Sequence, residues 1–352
     1  MKILANIPDI RHIGGGVTNF YKGLAPYWTE DIRYNSIGKR IDLCKRIGVI
    51  WLPYDVIKYV CLIIKWKPDL ILLNPTFDHS GMLRDLIFLR IALRLKCKVS
   101  IMFHGCDESY AERVNKDRMR KLLNRVQCIL SLSRNFTAML RSWGITVPIL
   151  PITTKVEDNL IADFDVATRK GDVRTFLFLG RIVKEKGIYE TIETFAKIKA
   201  SHPDIRLKIV GDGSELPKIR KYIAQRHIPD IDLTGQIEGH DLAEAFKTSD
   251  FFILPTYSEG LPNAVLEAMA FGLPVLTRPK GGIPDFFEDG KMGILTDSDN
   301  PDEYCRLIEG MMDDRDRIRK ISIYNHEYAK THFMASKIAE KMEGYIRMST
   351  TI

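Results

Sequence analysis

The sequence predicts an α/β protein built as two doubly wound parallel-sheet units in tandem, and three observations carry that prediction. Short apolar runs alternate with longer segments of helical period along the whole chain, the pattern of parallel strands joined by crossover helices. The length, 352 residues, exceeds what one core commonly fills and suits two domains of about 150 residues each. The glycine-rich and charged signals fall in segments that follow predicted strands, which is where open parallel sheets bind ligands.

In the first half the predicted strands are residues 2–6, 70–73, 99–103, 128–132 and 148–150. In the second half they are 175–179, 206–210, 232–234, 251–254, 274–276 and 293–295. Between the halves, the stretch from Thr153 to Gly171 is polar, lacks a sustained period and reads as a linker. From Pro301 to Met348 the chain reads as helical, its last segment carrying apolar Ile338, Met342, Tyr345 and Ile346. The expected division is an N-terminal Rossmann-like domain over 1–155, a second over 172–333 and a terminal helix over 334–352. No repeat of solenoid length and no low-complexity tract appears.

Composition narrows the class further. With 45% apolar and 28% charged residues the chain has the balance of a soluble globular protein. Its six cysteines form no CxxC pair and no His-Cys ligand spacing, which argues against a zinc site or disulfide framework and for a reducing compartment. A strand pattern begins at Lys2, so no signal peptide is expected and a cytoplasmic location is. The most apolar stretch, 56–73, is broken by Lys58, Lys65, Lys67 and Asp69 and falls short of a membrane span.

The net charge of +7 divides unevenly. Residues 1–155 hold 25 Lys and Arg against 12 Asp and Glu, whereas the remainder is net acidic. Lys116, Arg118, Arg120, Lys121 and Arg125 share one predicted helix, and Arg84, Arg90, Arg94, Lys96 and Lys98 follow an apolar one. A solvated helix face and contact with an anionic membrane both account for that pattern. Nucleic acid is not expected, because no binding motif or aromatic platform accompanies the charge.

The loops carry the chemistry. Gly14, Gly15 and Gly16 follow the first strand and open a helix at Val17. Missing side chains let a backbone approach a ligand, although the GxGxxG spacing of a dinucleotide site is absent. His104 ends the strand 99–103, where it either meets a substrate hydroxyl or is a buried histidine bonded to a carbonyl. After 175–179 come Gly180 and Arg181, then Lys184, Lys186 and Gly187; Arg181 as a fork and Lys186 as a point charge can close on a diphosphate. Gly211 and Gly235 end the next two strands in turns of low specificity.

The most informative run is Ser258 to Ala270, where Glu259 and Glu267 stand eight positions apart with Pro262 placed to start a helix. It offers a carboxylate, free backbone N–H groups and a second carboxylate, a combination suited to a sugar joined to a nucleotide diphosphate. The Asp-x-Asp pairs 163/165, 230/232 and 297/299 lack a phosphate loop beside them and read as turn acids, so no metal or other cofactor is expected.

Gly180-Arg181, Lys186-Gly187, Glu259-Gly260-Leu261-Pro262, Glu267-Ala268-Met269-Ala270 and Gly272-Leu273-Pro274-Val275 together resemble a retaining glycosyltransferase of family four. The likeness is specific over about 150 residues of the second half and only an outline in the first. One departure is the segment 150–154, which lacks the Asn-Gly turn many members carry there.

The resemblance implies the GT-B architecture: two Rossmann-like domains facing across a cleft, with a C-terminal helix returning to the N-terminal domain. It implies that Glu267 holds the ribose hydroxyls and that Glu259, Gly260, Leu261, Asn263 and Leu266 line the donor. Arg181 and Lys186 would hold the pyrophosphate with Gly180, Gly15 and Gly16 close by, Gly211 and Gly235 would lie near the base, and His104 would face the sugar. The implied activity is metal-independent, retaining transfer from a nucleotide-diphosphate sugar to a saccharide or lipid-linked saccharide in bacterial envelope, capsular or exopolysaccharide assembly. The basic domain would then dock peripherally at the inner face of the cytoplasmic membrane. A sugar-nucleotide epimerase on the same scaffold, or a non-catalytic binding partner of a transferase, remains the alternative; a glycoside hydrolase would not need the Arg181/Lys186 loop.

Overall fold

The computed structural model describes residues 1–10, 16–37 and 51–351. Its strands are β1 (Lys2–Pro8), β2 (Asp31–Ile37), β3 (Leu70–Leu73), β4 (Val99–Phe103), β5 (Ile129–Ser131), β6 (Ile149–Pro151), β7 (Thr175–Leu179), β8 (Arg206–Val210), β9 (Ile231–Gly235), β10 (Phe251–Leu254), β11 (Val275–Thr277) and β12 (Gly293–Leu295). The helices are α1 (Gly16–Leu24), α2 (Trp51–Trp66), α3 (His79–Arg94), α4 (Glu108–Arg113), α5 (Lys116–Leu123), α6 (Arg134–Ser142), α7 (Ile188–Ser201), α8 (Leu216–Gln225), α9 (Gly239–Lys247), α10 (Asn263–Ala270), α11 (Pro301–Met312), α12 (Arg315–His332) and α13 (Ala335–Thr351). They form two compact units, Met1–Lys155 with Ala335–Ile352, and Val156–Met334.

The first unit is a parallel sheet in the order β2-β1-β3-β4-β5-β6. Leu70, Ile71, Leu72 and Leu73 are all buried, the continuous apolar run of a strand covered on both faces. β2 is the strand that sequence reading missed. It lies at the sheet edge, and its Arg33, Asn35 and Ser36 interrupt the apolar run that marks an interior strand.

The last helix, α13, belongs to this unit. Its Ile338, Met342 and Ile346 are buried, and the buried Glu343 carboxylate accepts the backbone N–H groups of Thr29 at 2.8 Å and Glu30 at 2.9 Å. Arg347 adds an ion pair to Glu30 at 2.6 Å. A carboxylate holding two amides makes charge-assisted bonds, which fix the helix in register as well as in place.

The second unit is a parallel sheet in the order β12-β11-β10-β7-β8-β9. Its central strands β7 and β10 carry continuous apolar runs, and Phe176, Leu177, Phe251 and Phe252 are fully buried, whereas Arg206 and Lys208 interrupt β8. The polar stretch read as a linker is from Val156 onward part of this unit. Arg169 explains the difference: its buried guanidinium donates to the carbonyls of Phe271 at 3.0 Å, Phe246 at 2.9 Å and Lys247 at 3.3 Å, and to that of Ser249. These carbonyls cluster at the carboxyl ends of α9 and α10, where the peptide dipoles favour a cation. Desolvation pulls its pKa down to about 10, which still leaves it charged at neutral pH.

Strand order sets where ligands can bind. In the first unit the chain leaves β1 for β2 on one side and β3 lies on the other; in the second unit β8 and β10 flank β7 in the same way. Connections diverge at β1/β3 and at β7/β10, and beyond the strands' carboxyl ends at such points open parallel sheets bind their ligands.

Candidate active site

In the second unit the loops after β7 and β10 meet at that divergence. The loop after β7 makes one 3-10 turn, Lys184–Lys186, before α7. That turn brings the Lys186 ammonium back to the loop after β10, where it pairs with the Glu259 carboxylate and donates to the Ser258 carbonyl at 3.1 Å. The Lys186 and Glu259 side chains are only 13% and 10% exposed, so the pair is screened less than a surface one. Two more contacts tie the loops together: the Glu185 carbonyl accepts Tyr257 N–H at 2.8 Å and the Thr256 hydroxyl at 3.1 Å. Lys184 is exposed, and so is Arg181, for which no acceptor is found among the described residues.

α10 begins where the sequence places it, with one shift. Pro262 caps the helix in an extended conformation (φ −75°, ψ 118°) and Asn263 is the first helical residue. No side-chain oxygen caps that end and no acid lies in its first turn, which leaves the amino-terminal dipole available to an anion. Glu267 lies half-buried one turn on, and Leu261 is 7% exposed. Leu266 is fully buried, so its side chain packs in the core and offers no ligand-facing surface.

The glycines do different work. Gly211 has φ +137°, and a Cβ there would lie 1.9 Å from the Gly180 carbonyl oxygen, so only glycine lets the loops after β7 and β8 come this close. Gly211 N–H in turn donates to the Gly235 carbonyl at 2.8 Å, which links the loops after β8 and β9. Sequence reading missed a third glycine loop, Gly281-Gly282 after β11. Gly282 N–H donates to the Gly260 carbonyl at 2.7 Å, and a Cβ on Gly281 would meet the Glu259 and Gly260 carbonyl oxygens at 2.3 Å each. A Gly-Gly pair after Pro279 and Lys280, a few residues beyond an apolar run, was the available signal.

In the first unit His104 follows β4 and its Nε2 lies 3.0 Å from Asn74 Oδ1. Asn74 follows β3, and its Oδ1 also accepts the Tyr21 hydroxyl of α1 at 2.7 Å. Phe20 packs edge-on to the imidazole at 5.4 Å. Desolvation drives the His104 pKa down to about 3, so the ring is neutral at physiological pH. Neither Asn74 nor Tyr21 was picked out from sequence, although an asparagine directly after four buried leucines and isoleucines is a polar group that needs a partner. Gly16 is the first residue of α1, while Gly14 and Gly15 lie outside the described residues.

Of the Asp-x-Asp residues read as turn acids, Asp232 lies instead within the edge strand β9, and others sit in turns and ion pairs. Asp165 caps a 3-10 turn, Asp230 pairs with Lys199, and Asp297 pairs with Lys280 at 2.8 Å and Arg278 at 3.3 Å.

Residues 161–328 match the family described as glycosyl transferases group 1. A Salmonella typhimurium protein named for colanic acid biosynthesis and glycosyl transfer is 25% identical over 263 residues, covering 72% of this chain and 65% of its own. The next curated relatives are matched over about half of their length (46–48%). Sucrose-phosphate synthase from Thermosynechococcus elongatus superposes with a TM-score of 0.77 at 18% identity, covering 99% of this chain and 98% of that one. Anabaena HepE, solved in complex with UDP-glucose, gives 0.74 at 16% identity over 99% and 100%. At such identities the superpositions show a shared fold, an α/β chain of GT-B type, while the family match supports a glycosyltransferase.

Proposed function

We propose that the chain is a metal-independent, retaining glycosyltransferase of family four. It moves a sugar from a nucleotide-diphosphate donor to a saccharide or lipid-linked saccharide acceptor. The observation that carries this reading is the Lys186–Glu259 pair at the β7/β10 divergence, beside the uncapped start of α10. Breaking the bond from the anomeric carbon to phosphate puts negative charge on the departing diphosphate. Lys186, Arg181 and the α10 N-terminus are the groups that stabilise it, with Gly180 and Gly260 close by. The acceptor oxygen forms the new bond to the anomeric carbon on the face the phosphate leaves, and its proton passes to the phosphate oxygen. No protein nucleophile is needed. Glu259 serves sugar hydroxyls and Glu267 the ribose; Gly15, Gly16, Gly211, Gly235, Leu261 and Asn263 contribute backbone contacts, and His104 meets a sugar hydroxyl.

The pathway reading, envelope or exopolysaccharide assembly, takes support from the relative named for colanic acid biosynthesis. Peripheral docking on the inner face of the cytoplasmic membrane takes support from two helices of the first unit. Ile57, Cys61 and Ile64 form an exposed stripe along α2, Leu83 on α3 is 63% exposed, and Lys65, Lys67, Arg94 and Lys96 are exposed on the same two helices and the turns that follow them. Among the described residues no helix is long and apolar enough to cross a membrane.

Turnover of UDP-, GDP- and ADP-sugars, with proton NMR of the product's anomeric centre and with EDTA added, tests the assignment. Retained configuration and unchanged rate in EDTA are expected. An inverted product, or isomerised donor without transfer, overturns it.

A further inference from the structure

Three side chains of the first unit converge at the β1/β3 divergence, and their hydrogen bonds can be oriented without ambiguity. Asn74 Nδ2 donates to the Asn6 carbonyl at 3.1 Å and faces the Leu72 carbonyl at 3.4 Å. Turning the amide over would press its oxygen against two carbonyl oxygens, so the orientation is fixed. Oδ1 must then face the Tyr21 hydroxyl at 2.7 Å and His104 Nε2 at 3.0 Å. An amide oxygen only accepts, so both neighbours donate. For a neutral imidazole this puts the ring proton on Nε2 and leaves the lone pair on Nδ1. Asn74 and Tyr21 are 3% and 0% exposed, which keeps water from competing for Oδ1, and no described residue occupies His104 Nδ1.

We infer that Asn74, braced by Tyr21, is a positioning residue that holds His104 as its Nε2–H tautomer and thereby makes Nδ1 a hydrogen-bond acceptor for a substrate hydroxyl. The use of Nδ1 rests on the proposed transferase activity; the tautomer does not. A histidine free to exchange tautomers would present a donor to that hydroxyl part of the time. Leaving Tyr21 in place without Asn74 would also strand a buried phenol, which adds to the constraint on this site.

Long-range 1H–15N correlation spectra of the full chain labelled in histidine test the inference, with the His104 signals assigned by their loss in His104→Gln. At pH 7 the wild-type spectrum should show Nε2 protonated and Nδ1 bare. Asn74→Leu removes the acceptor and should give a tautomer mixture, with kcat/KM for a sugar nucleotide falling about tenfold, the size of one lost hydrogen bond. An Nδ1–H tautomer in the wild type overturns the inference, and that measurement needs no variant to fold. So does an unchanged tautomer in Asn74→Leu. A shifted tautomer with unchanged kcat/KM overturns the acceptor role, whereas absence of any turnover in the wild type counts against the transferase reading and leaves the tautomer result standing.

Discussion

The Lys186 ammonium is shared between the Glu259 carboxylate and the Ser258 carbonyl, so this side chain adds to the Glu185 carbonyl contacts that pin the loop after β7 to the loop after β10. The cation proposed to hold a diphosphate is thus itself held by the acid proposed to serve the sugar.

Lys186→Ala removes the cation and leaves a carboxylate that is only 10% exposed without its partner. Turnover should fall about 10²–10³-fold, the usual loss for one aimed group at a developing charge. Arg181→Ala should lose a comparable factor with little effect on melting temperature, because Arg181 is exposed. Wild-type kcat in either variant would remove that residue from the mechanism.

Gly281→Ala tests the loop that sequence reading overlooked. The substitution forces a side chain onto a residue with φ +59° and drives its Cβ against the Glu259 and Gly260 carbonyls. Those carbonyls must move by a substantial fraction of an ångström, and a misplacement of about 1 Å at a reacting centre can cost about 10²-fold. The expected result is a loss of that order in kcat/KM while the far-ultraviolet dichroism stays native. Unchanged kcat/KM would show that the Glu259 loop tolerates the shift.

His104 links pH to stability. Its pKa falls from 6.5 to about 3 on folding, through desolvation, so between those values the unfolded chain binds a proton that the folded chain does not. The contribution is fully favourable above about pH 6.5 and is lost progressively as the pH drops toward 3. Between pH 7 and pH 5 the loss should be about 2 kcal/mol. Urea unfolding at both pH values should show the wild type losing about that much more than His104→Gln; equal losses would mean the imidazole is not desolvated.

Membrane docking has its own readout. Replacing Ile57 and Ile64, which are 63% and 59% exposed, by glutamate should leave the melting temperature unchanged. Sedimentation with phosphatidylglycerol vesicles should weaken by more than tenfold, since each isoleucine withdrawn from the interface forfeits about 1.5 kcal/mol or more. Binding that persists in the double variant would place the contact elsewhere.

Much of the second unit was legible in the sequence because its central strands β7, β10 and β11 are buried on both faces. Runs such as Phe251 to Leu254 have to be continuous, and the loops after them have to carry the ligand groups. Lys186 could be preferred over Lys184 from its spacing to Arg181 and Gly187, and the 3-10 turn places it against Glu259. The edge strand β2 escaped because one open flank permits polar residues. The stretch at 156–171 read as a linker because its anchors, the Arg169 guanidinium on distant carbonyls and the Phe164 ring against Phe271 and His326, are isolated residues whose partners lie far along the chain.

The chain's periodicity determined by itself that there would be two parallel sheets, and its loop residues determined which strands would carry charge and glycine at their ends. Only the tertiary structure decided that Lys186 would meet Glu259, that Gly281 would lie under the Glu259 carbonyl, and that Asn74 would set the proton on His104. The physical reason is that periodicity records burial, a property of each segment, whereas hydrogen-bond orientation depends on which segments the sheet order places side by side.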